Sequence, residues 1–373
     1  MMNNDVIVAG YICLDLLPEL YPADNGTPFE YVPGKLLEVG GTRAACGGAV
    51  PNTGLALHKL GHRPRLLGRV GVDAFGNIVS ALVEGAGQGL SRSLINDEQL
   101  YTANTFIISP PGQDRMFLAH AGANRNFSSD DVLNAGFDDV RLLHFGYPPL
   151  LDHSFRDNGN DTKKMFQVAK SRNVTTSLDM CLPDPGAGSA KIDWNAWLDN
   201  VLPQVDVFLP SIDELVFMLG NDKLSHLADK LLQRGVAVVV IKLGSQGVYV
   251  KITDNPKRLA QMGACAPVHL EQWQNMEFMV PCFEAKVKGT TGAGDCTIAG
   301  FLSGLLRGMS AADAGRFACA VGSCNVEAPD AYSGLMDFDA TLKRLNSGWN
   351  MEDDCVDKKI WRKTNAGVYA RSG

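Results

Sequence analysis

The segment KGTTGAGDCTIAGFLSGLLRG, Lys288 to Gly308, decides how this chain is read. Glycines at 289, 292 and 294 let backbone N–H groups come close to a ligand. The apolar run that follows reads as a helix, and a helix start offers unpaired N–H groups and a positive dipole end. Together they make an anion site suited to phosphate. Asp295 stands at the junction. A carboxylate is a poor phosphate ligand but a sensible general base for a hydroxyl that attacks phosphorus. The N–H groups of Gly292, Ala293 and Gly294 would meet charge developing on the transferred group.

The rest of the chain fits an enzyme of ordinary composition. It has 373 residues, 45% hydrophobic and 20% charged, with net charge −7. A mildly acidic chain without a long basic run argues against nucleic acid or an acidic membrane as partner. No segment reaches the ~18 apolar residues of a membrane span. The nine cysteines form no CxxC pair, which reads as reduced thiols in a cytoplasmic protein. The first residues read as a strand, not a signal peptide.

Strand and helix patterns alternate over most of the length. DVIVAGYICLDL, VRLLHFGY, VTTSLDM and VDVFLP read as buried strands, and GGAVPNTGLALHKLG and SIDELVFMLG as helices. This predicts an α/β fold with a mainly parallel sheet and helices on both faces. Two regions break the alternation, about 12–46 and 101–124, and predict a small second sheet. About 253–283 reads as a hairpin excursion. Residues 347–373 read as a polar C-terminal extension to a domain spanning 1–346.

TTGAGDCTIAGFLSG resembles the C-terminal signature of the PfkB-type, ribokinase-like carbohydrate kinases. GGAVPNTGLALHKLGHRPRLLGRVGVDAFG, Gly47 to Gly76, resembles their N-terminal signature, and the two occur in the family's order. The resemblance implies a three-layer α/β/α sandwich with a small β-sheet lid, formed here from the two irregular regions. It implies MgATP as phosphoryl donor and a hydroxymethyl group of a small sugar as acceptor. Asp295 would be the base, and Gly292, Ala293 and Gly294 the anion hole. Asp15, Gly47, Gly48 and Asn52 match substrate-side positions.

SIDELVFMLG begins at a Ser N-cap, Ser211, and its SIDE matches the family's Asn-x-x-Glu, with Ser211 in place of Asn and Glu214 supporting Mg²⁺ through water. KLGSQG matches the nucleotide loop: Lys242, Gly244, Ser245 and Gly247, with Lys242 reaching a phosphate or pointing to solvent. Cys319 falls at the adenine position. Gly289 and Gly334 stand where the family has side-chain ligands for an activating monovalent cation, so K⁺ activation does not carry over. HFGYPP puts Gly146 and Tyr147 where ribokinase has an acidic sugar ligand, which argues against ribose. Asp179 and Asp184, at the end of the next strand, read as loop-structuring residues or as facing the cleft, and Arg115 as a lid arginine, solvated or meeting the substrate. Lids of this kind often pair two subunits, so a homodimer is expected.

Other readings remain open at this point. A nucleoside kinase of the same superfamily would share every motif. A non-catalytic ligand-binding member would be expected to lose GAGD, which is intact. A dinucleotide oxidoreductase would need Gly-x-Gly-x-x-Gly after the first strand, where this chain has GYICLDL.

Overall fold

The computed structural model describes residues 5–21, 33–113 and 116–371. Part of the expected 12–46 lid region, and Arg115, lie outside these residues. Ten strands form one sheet. Taken by first residue, their order is Trp361, Tyr369, Glu277, Val248, Val238, Val207, Thr175, Leu142, Val6 and Pro64. The six from Val238 to Pro64 run parallel, and the remaining pairings are antiparallel.

The composition of the parallel strands explains their place. Val6–Gly10 and Leu142–Gly146 are buried at every position, as expected when helices cover both faces. One core lies under the helices Ala49–Lys59, Ala293–Leu306 and Ala311–Asn325; Val8, Leu66, Val240 and Phe301 belong to it. On the opposite face Ile7, Phe145, Phe166 and Trp197 form a second core. The result is three layers, α/β/α.

A separate four-stranded sheet runs in the order Thr42–Gly47, Cys13–Pro18, Asn104–Ile108, Met116–His120. It is formed from the two regions that broke the strand–helix alternation. Its edge strand, Met116–His120, is exposed along its whole length.

Two stretches differ from their sequence reading. Residues 253–283 do not form a hairpin excursion. They fold as the short helix Pro256–Ala260, two single helical turns and the strand Glu277–Val280, which pairs inside the main sheet. The helix starts because Asn255 accepts from Lys257 N, with Pro256 pre-set in the first turn. Beyond the helix Phe338–Asn346, the C-terminal residues add the strands Trp361–Lys363 and Tyr369–Arg371 to the sheet edge. Trp361 is anchored edge-on to Tyr249, with ring centroids 6.0 Å apart.

Candidate active site

The Ala293–Leu306 helix begins at Gly292, whose backbone is left-handed (φ 72°, ψ 3°). A Cβ at Gly292 would lie 2.6 Å from that of Ala331, so glycine is required on both conformational and steric grounds. The turn is closed by the Ala293 N–H, which donates to Thr290 O at 3.3 Å, and it buries Asp295, which is 4% exposed.

Two side chains hold the Asp295 carboxylate. Asn52, from the Ala49–Lys59 helix, donates from Nδ2 to Oδ2 at 3.0 Å. Tyr147, just past the Leu142–Gly146 strand, donates its hydroxyl to Oδ1 and Oδ2 at 3.1 and 3.0 Å.

Beside it lies a buried charge cluster. Lys242 Nζ pairs with Asp179 Oδ1 at 2.6 Å, and the side chains are 12% and 1% exposed. The Lys242 stem passes alongside Gly294, whose absent Cβ would sit 3.6 Å from Lys242 Cδ. Glu214 is fixed by a capping box at the start of the Ile212–Leu219 helix. Its carboxylate accepts from Ser211 N at 2.6 Å, and its N–H donates to Ser211 Oγ at 3.2 Å.

Three carboxylates thus share one ammonium group. Burial pushes Glu214 up to about 7, with Lys242 partly offsetting it and Asp179 adding to it. Asp179 rises to about 6 for the same reason, again offset by Lys242. Asp295 is also raised by burial, against the opposing pull of Lys242, Asn52 and Tyr147. Lys242 stays charged, its burial outweighed by Asp179 and Glu214. The cluster holds surplus negative charge, so it suits a further cation.

Two clefts flank this centre and meet at the 290–294 turn. The first, about 270 Å³, lies toward the small sheet and is lined by Asp15, Arg43, Asn52, Ile107, Thr291 and Tyr332 among others. The second, about 340 Å³, is lined by Lys242, Gly244, Ser245, Gly247, Ala293 and Cys319 among others. One cleft offers carboxylate, amide and arginine groups to hydroxyls. The other is a glycine-rich, largely apolar slot ending on a helix N-terminus.

A family model described as pfkB family carbohydrate kinase matches residues 19–337. The chain belongs to this family. It is a carbohydrate kinase, a phosphotransferase with an alcohol acceptor. An uncharacterized sugar kinase from Archaeoglobus fulgidus is 25% identical, over 75% of this chain and 98% of its own. A nucleoside kinase of Methanothermobacter thermautotrophicus is 25% identical, over 94% and 98%. Ribokinase of Arabidopsis thaliana, solved with ribose and ATP, superposes with TM-score 0.70 at 21% identity, covering 92% of this chain and 99% of that one. The fold is ribokinase-like.

Within the kinase, most residues singled out from sequence fall at the two clefts. Asp15 lines the first, its carboxyl raised to about 6 by burial, with bonds from Cys13 and Thr105 opposing. Gly47 packs under it: a Cβ there would lie 2.3 Å from Asp15 Oδ2. Gly48 begins the Ala49–Lys59 helix. Cys319 is buried and its thiol meets Val280 O at 3.3 Å.

Other placements differ from expectation. Ser211 does not line the nucleotide-side cleft; it caps a helix and holds Glu214. Lys242 does not point to solvent but into the charge cluster. Asp179, just past the Thr175–Leu178 strand, is buried as that lysine's partner, whereas Asp184 is exposed and structures a turn through Gly186 N. Asn52 reaches Asp295 as well as the cleft. A Cβ on Gly289 would press on the backbone of Ala328 and Pro329 at 2.9–3.0 Å, so no side-chain ligand fits there.

Tyr147 and Asp179 were not assigned to the site from sequence. One signal could have found them: both stand immediately past parallel strands, at the carboxyl ends where such sheets bind ligands.

Proposed function

We propose that this kinase transfers the γ-phosphoryl group of MgATP to a hydroxymethyl group of a small sugar held in the Asp15–Asn52 cleft. The observation that carries this is the setting of Asp295: it is buried, its helix neighbours Ala293 and Gly294 line one cleft, and its partner Asn52 lines the other. Asp295 takes the proton as the acceptor oxygen bonds to phosphorus. The bond to the ADP oxygen breaks, and ADP leaves with that electron pair. The N–H groups of Gly292 and Gly294 and the Lys242 ammonium would face the charge on the transferred group, whereas the expected Ala293 N–H is held by Thr290 O.

Glu214 and Asp179 suit Mg²⁺. Among the described residues no three His, Cys, Asp or Glu side chains converge as a metal cage. Mg²⁺ is typically held by one or two carboxylates with waters and substrate phosphates, and the surplus negative charge beside the anion site fits that pattern. When bound, Mg²⁺ would neutralise phosphate charge. Ser211 keeps the Glu214 carboxylate oriented for it.

The small sheet serves as a lid over the acceptor, excluding water during transfer. Its outer face carries Phe106 and Leu118 as a cross-strand pair, 41% and 55% exposed. We read this face as the contact of a homodimer. Light scattering at micromolar concentration is expected to give twice the chain mass, and Leu118→Glu to give the monomer. Among the described residues no helix is long and apolar enough to cross a membrane.

A coupled ADP-release assay with MgATP against pentoses, hexoses, keto-deoxy sugar acids and nucleosides tests the activity. Turnover that saturates with a free sugar supports the reading. Saturation by nucleosides alone would favour a nucleoside kinase, and nucleotide binding without turnover on any acceptor would overturn catalysis.

A further inference from the structure

Tyr147 occupies an unusual position. It follows the Leu142–Gly146 strand directly, with φ 65° and ψ 44°, and leads into Pro148 and Pro149. Left-handed backbone is uncommon and costly for a bulky residue, and such strain clusters at functional sites. Its hydroxyl goes to the Asp295 carboxylate in the first turn of the Ala293–Leu306 helix, and spans both oxygens at 3.1 and 3.0 Å. The Asn52 amide meets the same carboxylate from a helix far away in sequence, at 3.0 Å. Two donors from separate elements therefore fix the plane of the carboxylate. The ring packs against the second core, which fixes the hydroxyl in turn. Burial and the neighbouring Asp295 hold the phenol proton far above its ordinary range, so Tyr147 remains a donor.

We propose that Tyr147 is a positioning residue for phosphoryl transfer: its hydroxyl, together with the Asn52 amide, orients the Asp295 carboxylate toward the acceptor hydroxyl. This rests on the reading of Asp295 as general base. Other charged groups act on Asp295 too: Lys242 from the Val238–Lys242 strand, Glu214 from the Ile212–Leu219 helix and Asp179 past the Thr175–Leu178 strand. None of them is removed by a change at Tyr147. Loss of the phenol donor leaves the carboxylate less stabilised and less well aimed, so it binds its proton more tightly.

The test compares Tyr147→Phe with replacement of Tyr147 by 3-fluorotyrosine, a stronger donor of nearly the same shape. In Tyr147→Phe, kcat is expected to fall roughly tenfold, the scale of one charge-assisted hydrogen bond, with KM for MgATP unchanged. The acid limb of kcat/KM for the acceptor should move to higher pH in Tyr147→Phe and to lower pH with 3-fluorotyrosine. The ¹³C carboxyl titration of Asp295, assigned by its absence in Asp295→Asn, should move the same way. A lowered thermal midpoint with neither limb nor titration moved would make Tyr147 merely structural and overturn the proposal. If Tyr147→Phe does not fold, the 3-fluorotyrosine shift decides alone. Failure of the base reading shows separately, as turnover surviving in Asp295→Asn.

Discussion

Asp295→Asn is expected to lower kcat by roughly 10²–10⁴-fold, the usual worth of a positioned general base. MgATP affinity, read by calorimetry, should stay within about twofold. The reason is geometric. Asp295 sits in the first turn of the Ala293–Leu306 helix, with Asn52 and Tyr147 on its oxygens, and no pairing with Lys242 that a neutral side chain would break. The substitution therefore removes a proton acceptor while leaving the phosphate-facing helix start in place. A fall in nucleotide affinity as large as the fall in kcat would mean that Asp295 is part of the nucleotide site instead.

The second large effect is expected at Lys242. Its ammonium is the charge partner of Asp179 and the nearby cation for Glu214 and Asp295. Lys242→Met leaves buried carboxylates uncompensated, and breaking a buried pair in this way typically costs about 3–5 kcal/mol. The sign with pH follows from Glu214, raised to about 7, and Asp179, raised to about 6. The folded state holds their protons more tightly than the unfolded chain does. Stability from these groups is therefore full below pH ~4, where both states are protonated, and is lost as pH rises through about 6 and 7. Without the lysine both groups are pushed higher still. The thermal midpoint of Lys242→Met should thus lie furthest below that of the parent near pH 8, and the gap should shrink toward pH 5. An equal gap at both pH values would contradict the charge account. Activity should fall as well, because the same ammonium flanks Gly294 at the anion site.

Much of this was legible in the sequence, for identifiable reasons. The buried strands and the Gly-rich helix start announce themselves through local composition, and both signatures lie within continuous stretches. Hence Asp295, Gly292 and the 242–247 loop could be singled out without coordinates. What was not legible depends on distance along the chain. Asp179 and Lys242 are 63 residues apart, so nothing local distinguishes a buried ion pair from a turn aspartate and a surface lysine. Tyr147 was visible only as a departure from a family pattern; its left-handed backbone and its reach to Asp295 are set by the fold. Ser211 was read both as a motif position and as a helix N-cap, and the capping box with Glu214 is the contact the fold gives it. The strands Glu277–Val280, Trp361–Lys363 and Tyr369–Arg371 are short and lie in polar surroundings, with too few residues for periodicity to show.

The central claim is that Asp295 acts as a base in a single direct transfer between the two clefts, and not as a nucleophile that carries the phosphoryl group itself. The most direct measurement is the stereochemical course at phosphorus, using ATP made chiral at the γ-position with oxygen isotopes and the best acceptor from the panel. One in-line displacement predicts inversion. Retention would require two displacements, through a phosphorylated enzyme group, and would contradict the account.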